Sequence, residues 1–301
     1  MFYRAVRTAS FRNLCDAEIE TAAGDVFLVG ENGQGKSNFL EALYFCSYGS
    51  SFRNAKEAEF IRTGEKSCSV SGTLGDALYG TITVKIEDGK KSLAMDGRKI
   101  ADRKDILQAS PAIVFCHEDM EFVAGSPERR RWFFDQSLSL YDPGYLDELR
   151  RFRRVLRNRN AALKQGEIAS LDALDIQMAG HGMALMEKRR AAAALFSDCF
   201  GPLYAGVSGI EDVSVRYVPS WKEDGEDRIS AALFQRRGGD LGFGTSMSGP
   251  HRDRYVFTRK GVEFAAKAST GQRRLLALLL RVAQARLYTG MTGRKPLLLL
   301  D

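Results

Sequence analysis

The sequence predicts an α/β protein in which a mixed sheet surrounds one helix, with a helical lobe inserted into the chain. Short apolar or alternating runs, which are typical of strands, fill the first third of the 301 residues and return near the end. Between Pro127 and about Tyr204 the composition changes to Arg, Leu, Ala and Glu with few β-branched residues, which favours helices. We therefore expect lobe I to comprise residues 1–125 and 205–301, and a helical lobe II to comprise residues 126–204.

Strands are expected first at FYRAVRTASF (2–11) and DVFLVG (25–30), the second short and apolar enough to be buried. KSNFLEALYFCSYG (36–49) then has helical spacing. SCSVSGTL (67–74) and YGTITVKIEDGKKSLAMDG (79–97) alternate apolar and polar residues, and the Asp88-Gly89 step within the second run predicts a hairpin turn. AIVF (112–115) predicts one more buried strand.

Helices are expected from Ser126-Pro127-Glu128, which is a start signal, with breaks at 142–144 and near Gly166. The remaining segments predict a strand at VSVRYVPS (213–220), a glycine-rich passage at 238–250, a hairpin at YVFTRKGVEFAA (255–266), a helix from about Gly271 and a final strand, LLLLD (297–301).

Composition narrows the class of protein. The chain is 44% apolar and 27% charged, as soluble globular proteins are, and has no apolar run long enough for a membrane span. The N-terminus lacks the apolar core of a secretory signal. Scattered cysteines without a CxxC pair favour reduced thiols, so we expect a cytoplasmic protein without a membrane partner. Three histidines and no cysteine cluster argue against a metal cage built from side chains.

The net charge of +6 is unevenly distributed. Residues 249–295 contain eleven Lys or Arg against two acids, and LRRFRRVLRNRN (149–160) contains six arginines. Such clusters favour a polyanionic partner, although a solvated helix face explains either cluster alone equally well.

The segment GENGQGKS (30–37) fits the pattern G-x-x-x-x-G-K-[ST] and lies between an expected strand and an expected helix. Its glycines let backbone N–H groups point at phosphate oxygens, and the helix N-terminus adds partial positive charge. Lys36 is expected to reach the β- and γ-phosphates and Ser37 to ligate Mg²⁺. The alternative is a chance glycine-rich turn. We predict a nucleoside triphosphate site formed by Gly30, Glu31, Asn32, Gly33, Gln34, Gly35, Lys36, Ser37 and Asn38.

Two further segments complete this hypothesis. LLLLD is an apolar strand that ends in a carboxylate, so Asp301 is expected beside the phosphate loop as a catalytic residue and, with Ser37, as a metal ligand. The segment ASTGQRR (268–274) precedes an apolar helix and predicts a second anion site, at Ser269, Thr270, Gly271 and Gln272. One γ-phosphate does not need two such sites in one chain, unless the second serves a partner's nucleotide. The alternative is an ordinary helix cap with Gln272 as the capping residue.

In chain order, the distinctive segments are SFRNL, GENGQGKSNFLEALYF, SSFRNAKEAEFIRTGE, VFCHEDMEFVAGSPERRRWFFD, FRRVLRNRNAALK, TSMSGPHRDRYVF, ASTGQRRLLALLLRVAQARL and LLLLD. This combination resembles the RecF family of bacterial recombination-repair proteins, ABC-type P-loop ATPases related to the SMC and Rad50 heads. The resemblance covers nearly the whole chain.

The resemblance implies an ATP-driven head-to-head dimer, in which each ATP lies between the phosphate loop of one subunit and the Ser269–Gln272 signature of the other. It also implies clamping of double-stranded DNA near single-strand gaps, recombinase loading with RecR and RecO, and weak ATP hydrolysis as a timer. By the same resemblance Arg12 and Asn13 lie near the nucleotide, and His251 is structural. The expected DNA contacts are Arg53, Arg150, Arg153, Arg154, Arg273 and Arg274. For Arg53, which follows the phosphate-loop helix, contact with the γ-phosphate and an ordinary surface position are open alternatives, and Arg129, Arg130 and Arg131 are as well suited to salt bridges between the lobes as to DNA contacts.

The sequence departs from the family pattern at its end. RecF chains usually continue past this aspartate into a second acid, a D-loop and a switch histidine, whereas this sequence stops at Asp301. Either the chain is truncated or the natural protein lacks those parts, so we expect ATP binding with poor hydrolysis. The alternatives are a non-hydrolysing nucleotide- and DNA-binding scaffold, another SMC- or Rad50-type head, and a transporter ATPase, which the basic clusters disfavour. The insertion is too short for an extended coiled-coil arm.

Overall fold

The computed structural model describes residues 3–53, 55–75 and 80–301. Phe2, Asn54 and Tyr79, which belong to stretches quoted above, lie outside the described residues. The strands are β1 (Tyr3–Ala9), β2 (Ala17–Glu20), β3 (Ser67–Leu74), β4 (Thr81–Glu87), β5 (Lys90–Met95), β6 (Arg98–Lys99), β7 (Ala112–Phe115), β8 (Val213–Val218), β9 (Arg254–Arg259), β10 (Val262–Glu263) and β11 (Leu297–Leu300). The helices are α1 (Lys36–Tyr48), α2 (Arg103–Ala109), α3 (Pro127–Tyr141), α4 (Pro143–Gln165), α5 (Leu171–Ser208), α6 (Glu226–Phe243) and α7 (Thr270–Thr292).

The chain divides into two compact units that differ from the predicted lobes. Unit 1 comprises Met1–Glu118 and Tyr288–Asp301, and unit 2 comprises Asp119–Leu287. Residues 205–287 therefore belong with the helical part, not with lobe I as expected. The reason is that α5 continues to Ser208 and binds the next strand: the Ser197 hydroxyl donates to the Val215 carbonyl (2.7 Å) and accepts from the Val215 N–H (2.9 Å).

Unit 1 contains an antiparallel sheet with strand order β2-β1-β3-β4-β5-β6. The alternation predicted for β3 and β4 is confirmed, since every second residue of each strand is buried. The Asp88-Gly89 hairpin is also confirmed. Both turn residues have positive φ, 50° and 68°, as a two-residue hairpin turn with right-handed strand twist requires.

A second, parallel pair in unit 1 joins β7 to β11, with Leu299 opposite Val114. The strand predictions for AIVF and LLLLD are thereby confirmed. The helix α1 begins at Lys36 as predicted and ends before Gly49, whose φ of 58° suits a helix C-terminus. It contacts β3 and β4 of the antiparallel sheet as well as β7 and β11, so the glycine-rich loop is attached to a helix packed on strands from both sheets.

The prediction of a buried strand at DVFLVG is wrong. Residues 25–30 form no strand, and the side chains of Phe27 and Val29 are 86% and 93% exposed. A buried strand needs neighbours that take up its backbone N–H and C=O groups. Among the described residues no strand pairs with this segment, and the sheet of β7 and β11 contains only those two strands. A short apolar run does not reveal whether such a neighbour is present.

Unit 2 confirms the predicted helix boundaries. The Ser126 hydroxyl accepts from the Arg129 N–H (3.4 Å) at the start of α3. Asp142 ends α3 and starts α4, since its N–H donates to the Leu138 carbonyl (2.8 Å) and its carboxylate accepts from the Tyr145 N–H (3.1 Å). The predicted break near Gly166, the β9–β10 hairpin and the last helix also occur.

The helix α6 is missing from the sequence interpretation, which has only a glycine-rich passage at its C-terminal half. Each glycine inside a helix costs about 1 kcal/mol relative to alanine, so the local signal is weak. Tertiary contacts compensate: Ile229 and Leu233 are buried, and Asp240 pairs with the buried Arg159 (2.7 Å). Across the described residues, no helix is long and apolar enough to pass through a membrane.

Candidate nucleotide-binding site

The glycine-rich loop has a backbone that only glycine adopts easily. Gly33 and Gly35 have φ values of 84° and 97°, and Gly35 is the N-cap of α1. A Cβ at Gly35 would lie 2.9 Å from Leu14 Cδ2 and 3.1 Å from Asn13 Oδ1, so a larger residue would have to displace both neighbours. No side chain caps the N-terminus of α1 in the described structure. Its first N–H groups therefore suit an anion.

Lys36 lies with its ammonium group against the loop that precedes it. Nζ donates to the carbonyls of Gly30 (2.8 Å) and Glu31 (2.6 Å). The Glu31 N–H in turn donates to Gln34 Oε1 (3.2 Å), which ties the two ends of the loop together. A phosphate oxygen is a stronger acceptor for an ammonium group than these neutral carbonyls, because both partners are then charged.

The structure brings Ser37 and Asp301 together although they are 264 positions apart. The Ser37 hydroxyl donates to Asp301 Oδ1 (2.5 Å). The Asp301 N–H continues the β7–β11 ladder by donating to the Phe115 carbonyl (2.9 Å), which fixes the backbone that carries the carboxylate. A hydroxyl and a carboxylate are hard oxygen donors of the kind Mg²⁺ prefers when it also binds nucleotide phosphates. The residues therefore fit this metal.

Asn13 and Asn38 lie at the same loop, as the sequence predicts. Asn13 Nδ2 donates to the Gly33 carbonyl (3.0 Å), and its Oδ1 accepts from Asn38 Nδ2 (2.6 Å). Arg12, the residue before Asn13, has a φ of 50°, and its N–H donates to the Phe60 carbonyl (2.7 Å). The N-terminal segment thus supports the loop from outside the loop sequence itself.

Glu41, which the sequence interpretation did not consider, connects α1 to Arg12 in the N-terminal segment and to Ser51 and Arg53 after the helix. Its carboxylate is fully buried in α1, one turn after Ser37. It accepts from Arg12 Nε (2.8 Å) and Nη2 (3.1 Å), from Arg53 Nη2 (2.5 Å) and from the Ser51 hydroxyl. Arg53 also donates to Asn38 Oδ1 (2.6 Å). The signal available in the sequence was a single acid inside the apolar run FLEALYF.

The charge on Glu41 is maintained against the effect of burial. Burial by itself would raise the pKa of this carboxyl group, but hydrogen bonds from Arg12, Ser51 and Arg53 outweigh it and lower the pKa below its ordinary value. Glu41 is thus an anion that fixes two arginines beside the loop. One of them, Arg53, was expected to contact DNA, and here it binds within unit 1.

The Ser269–Gln272 segment in unit 2 has the geometry of a capping box. The Ser269 hydroxyl accepts from the Gln272 N–H (3.2 Å), and the Ser269 N–H donates to Gln272 Oε1 (2.8 Å). This matches the alternative of an ordinary cap, yet Ser269, Thr270 and Gly271 remain exposed. Arg273, an expected DNA contact, instead donates to the backbone carbonyls at positions 265 (3.1 Å) and 266 (3.2 Å).

The other expected DNA contacts lie at the surface of unit 2. Arg153, Arg154 and Arg274 are exposed. Arg150 is partly buried and pairs with Asp147 (3.5 Å), one turn earlier on α4. The positions predicted for DNA therefore separate into residues with local partners, Arg53, Arg150 and Arg273, and the exposed residues Arg153, Arg154 and Arg274 on α4 and α7.

The fold and the loop geometry define this chain as an ABC-type phosphate-loop ATPase head, and a family model described as an AAA domain matches residues 6–168. The chain is 42% identical over 294 residues to the DNA replication and repair protein RecF of Treponema pallidum (strain Nichols), covering 97% of this chain and 84% of that protein. The RecF of Trichlorobacter lovleyi is 31% identical over 307 residues, covering 100% of this chain and 83% of that protein. The chain belongs to the RecF family of DNA replication and repair proteins.

Solved structures support the same assignment. A structure of the recombination mediator protein RecF with ATP, in the RecFOR pathway, superimposes with a TM-score of 0.94 at 27% identity, covering 100% of this chain and 84% of that chain. An Smc head domain from Pyrococcus furiosus has a TM-score of 0.51 at 16% identity, covering 100% of this chain and 89% of that chain, and shows the fold alone. The predicted family and the predicted ABC-type head are thereby confirmed.

Proposed function

We propose that this chain is an ATP-binding DNA-repair protein that works in the cytoplasm and closes as a dimer on double-stranded DNA. The observation that carries the proposal is the arrangement of Lys36, Ser37 and Asp301 around a glycine loop that admits no larger side chain at Gly35. The loop amides and Lys36 would hold the phosphates of ATP, and Ser37 and Asp301 would hold Mg²⁺. The bound metal would supply charge neutralisation at the β- and γ-phosphates.

The exposed capping box at Ser269–Gln272 supports the dimer. Its hydroxyl and free surface suit the phosphate of a nucleotide held by a second copy of the chain, which would make ATP part of the interface. Closure would then depend on ATP, and slow hydrolysis would open the dimer. By its family membership, this chain would act near single-strand gaps with RecR and RecO to load recombinase.

The first test is fluorescence anisotropy of a labelled blunt duplex at fixed salt, with and without Mg-ATP. We expect ATP to tighten binding in the natural chain and to have no effect in Lys36→Ala, because the ammonium group that contacts the phosphates is gone. Sedimentation of the same samples should show a dimer only where ATP binds. Equal duplex binding with and without ATP would contradict the clamp and leave surface charge as the cause of binding.

The role of the capping box is tested by Ser269→Arg, with Thr292→Arg as a control at the other end of the same helix. Ser269→Arg should bind ATP as a monomer yet fail to dimerise, whereas Thr292→Arg should do both. Normal ATP-dependent dimerisation of Ser269→Arg would refute the assignment. Phosphate release measured on the same dimers tests hydrolysis, and dimers that never release phosphate would favour the non-hydrolysing scaffold.

A further inference from the structure

Unit 2 contains a cavity of about 450 Å³ that the nucleotide site does not use. The start of α3 forms one wall, including Arg129, Arg131 and Trp132. One face of α4 forms the opposite wall, through residues spaced three and four apart: Leu149, Phe152, Arg153 and Leu156. Arg189 of α5 and His251 of the short 3₁₀ helix Pro250–Arg252 complete the lining. The cavity thus combines cationic, aromatic and apolar groups with two acids, Glu128 and Asp135.

Two carboxylates near the cavity, those of Asp135 and Asp253, are occupied by its innermost arginine, and Glu128 is a further acid in the lining, which also contains four arginines. Arg189 is buried and donates to both oxygens of Asp135 (2.9 and 3.1 Å), to Asp253 Oδ2 (2.9 Å) and to the Pro250 carbonyl (2.7 Å). The Tyr145 hydroxyl also donates to Asp135, at Oδ1 (2.5 Å). Asp135 therefore neutralises Arg189 and offers little to the other arginines of the lining.

The outer arginines leave a local excess of positive charge. Arg153 is 58% exposed and lies 3.8 Å from Asp135 Oδ2, at the limit of an ion pair. Arg131 donates to the Asp253 carbonyl (2.7 Å), and burial together with the positive charge of Arg189 lowers its pKa. The carboxylates of Asp135, Asp253 and Glu128 oppose this lowering of the Arg131 pKa without cancelling it, so the charge of the guanidinium is only partly compensated. An anion at the cavity mouth would add to that compensation.

His251 adds a neutral acceptor. Its Nε2 bonds the Ser246 carbonyl (3.0 Å), so this nitrogen carries the proton, and Nδ1 is buried without a hydrogen-bond partner in the described part of the chain. Burial lowers the pKa of His251 to about 4, which keeps the ring neutral at pH 7. Nδ1 is then a buried acceptor, and a ligand that donates an N–H group would satisfy it.

An aromatic platform and a row of charge lie next to these groups. Trp132 stacks on Phe122 at 5.7 Å between ring centroids and is still 40% exposed. Beyond the cavity, α4 carries the exposed Arg154 and Arg157. Nucleic acid strands supply both a planar base for an aromatic ring and a phosphate charge at every nucleotide, which suits a charged row leading away from a pocket. An acidic peptide does not carry an aromatic base at every residue.

We propose that this cavity binds one unpaired nucleotide of a DNA strand, with the base at Trp132 and a phosphate at Arg129, Arg131 and Arg153. The inference rests on the proposed function for its DNA partner and extends it, because it assigns to unit 2 a contact with an unpaired base. Such a contact would distinguish a gap or strand end from continuous duplex, and it requires no nucleotide at Lys36.

Intrinsic tryptophan fluorescence of the full chain tests the inference directly. The chain has two tryptophans, and the second, Trp221, is buried, so Trp132 is the one that a ligand can reach. A short oligothymidylate should quench the emission saturably, and Trp132→Phe should abolish that change. Blunt hairpin duplex, oligoglutamate and inorganic phosphate serve as parallel titrants. Lys36→Ala should be quenched like the natural chain, which separates this site from failure of the ATP-dependent clamp.

A matched pair of variants tests the arginines. Arg153→Ala should weaken oligothymidylate binding about fivefold, and the control Arg157→Ala, an exposed arginine one turn further along α4, less than twofold. Trp132→Ala should weaken it at least about fivefold, the lower range for one stacked base. Absence of quenching, equal effects of the two arginine variants, or equally tight binding of oligoglutamate would each overturn the proposal. Since both arginines are exposed, their variants are expected to fold normally.

Discussion

Replacing Glu41 by glutamine removes one buried negative charge and leaves Arg12 and Arg53 beside each other. Truncating one partner of a buried pair costs about 3–5 kcal/mol. Here the two arginine side chains are 19% and 28% exposed, so water recovers part of this loss. The glutamine oxygen also keeps one acceptor for the three groups that bind Glu41. We therefore expect Glu41→Gln to lower the free energy of unfolding by about 2 kcal/mol.

Urea denaturation followed by circular dichroism measures this loss. The matched control is Glu57→Gln, because Glu57 is partly exposed and pairs with Lys91 at the surface of the same unit. Surface pairs contribute about 0–1 kcal/mol, so the control should change little. If Glu41→Gln is no more destabilising than Glu57→Gln, then the buried network does not stabilise unit 1 and the reasoning fails.

The pH dependence provides an independent check on the same residue. The folded-state pKa of Glu41 is lowered, so its ionisation stabilises the fold fully above the ordinary pKa of a glutamate, 4.5. That contribution is lost as the pH falls through the lower, folded-state pKa. The unfolding free energy of the natural chain should therefore fall more steeply below pH 4.5 than that of Glu41→Gln. Parallel curves would contradict a charged Glu41.

Three further predictions concern other positions. Gly35→Ala should abolish ATP binding in equilibrium dialysis, because its φ of 97° and the contact at 2.9 Å to Leu14 exclude a methyl group. Arg159→Met should lower the unfolding free energy in urea by about 3–5 kcal/mol, since it removes the ion-pair partner of the buried Asp240 and leaves the buried Asp175 with Arg237 alone. Protonation of His251 favours the unfolded chain between pH 6.5 and about 4, so stability should fall by about 2 kcal/mol from pH 7.5 to pH 5, and His251→Gln should remove that part of the fall.

The geometry of the candidate nucleotide site, a glycine-rich loop at the start of α1, was predictable because its signals are local. The glycines, Lys36 and Ser37 occur within eight consecutive residues, and the helix after them has clear apolar spacing. Capping residues also act within three or four positions, which explains the correct starts of α3 and α4 at Ser126 and Asp142. The proximity of Asp301 to Ser37 was inferred because a glycine-rich phosphate loop and an apolar strand ending in a carboxylate occur in the same chain. No local signal indicates it.

The parts that sequence reasoning missed depend on distant partners. Glu41 can be buried as an anion because it pairs with Arg12, which precedes it by 29 positions, and with Arg53, which follows it by 12. The helix α6 is stabilised against its glycines by Arg159, and DVFLVG forms no strand because none of the described strands lies beside it. The unit boundary differs from the prediction because the strand after α5 packs on that helix, through the Ser197 hydroxyl and a shared apolar core that includes Phe200 and Val215. None of these contacts produces a periodic pattern in the sequence.

Arginine content alone predicted a polyanionic partner, but the structure separates arginines that stabilise the fold from those at its surface. Arg159 on α4 is fully buried between two aspartates, whereas Arg154 and Arg157, on the same helix, are exposed. A helix places residues two apart on different faces, so one basic run can serve both purposes. Arg189 is likewise neutralised inside unit 2. The charge available to DNA is therefore smaller than the count suggests, and the loss of a single exposed arginine such as Arg153 on α4 should have a measurable effect.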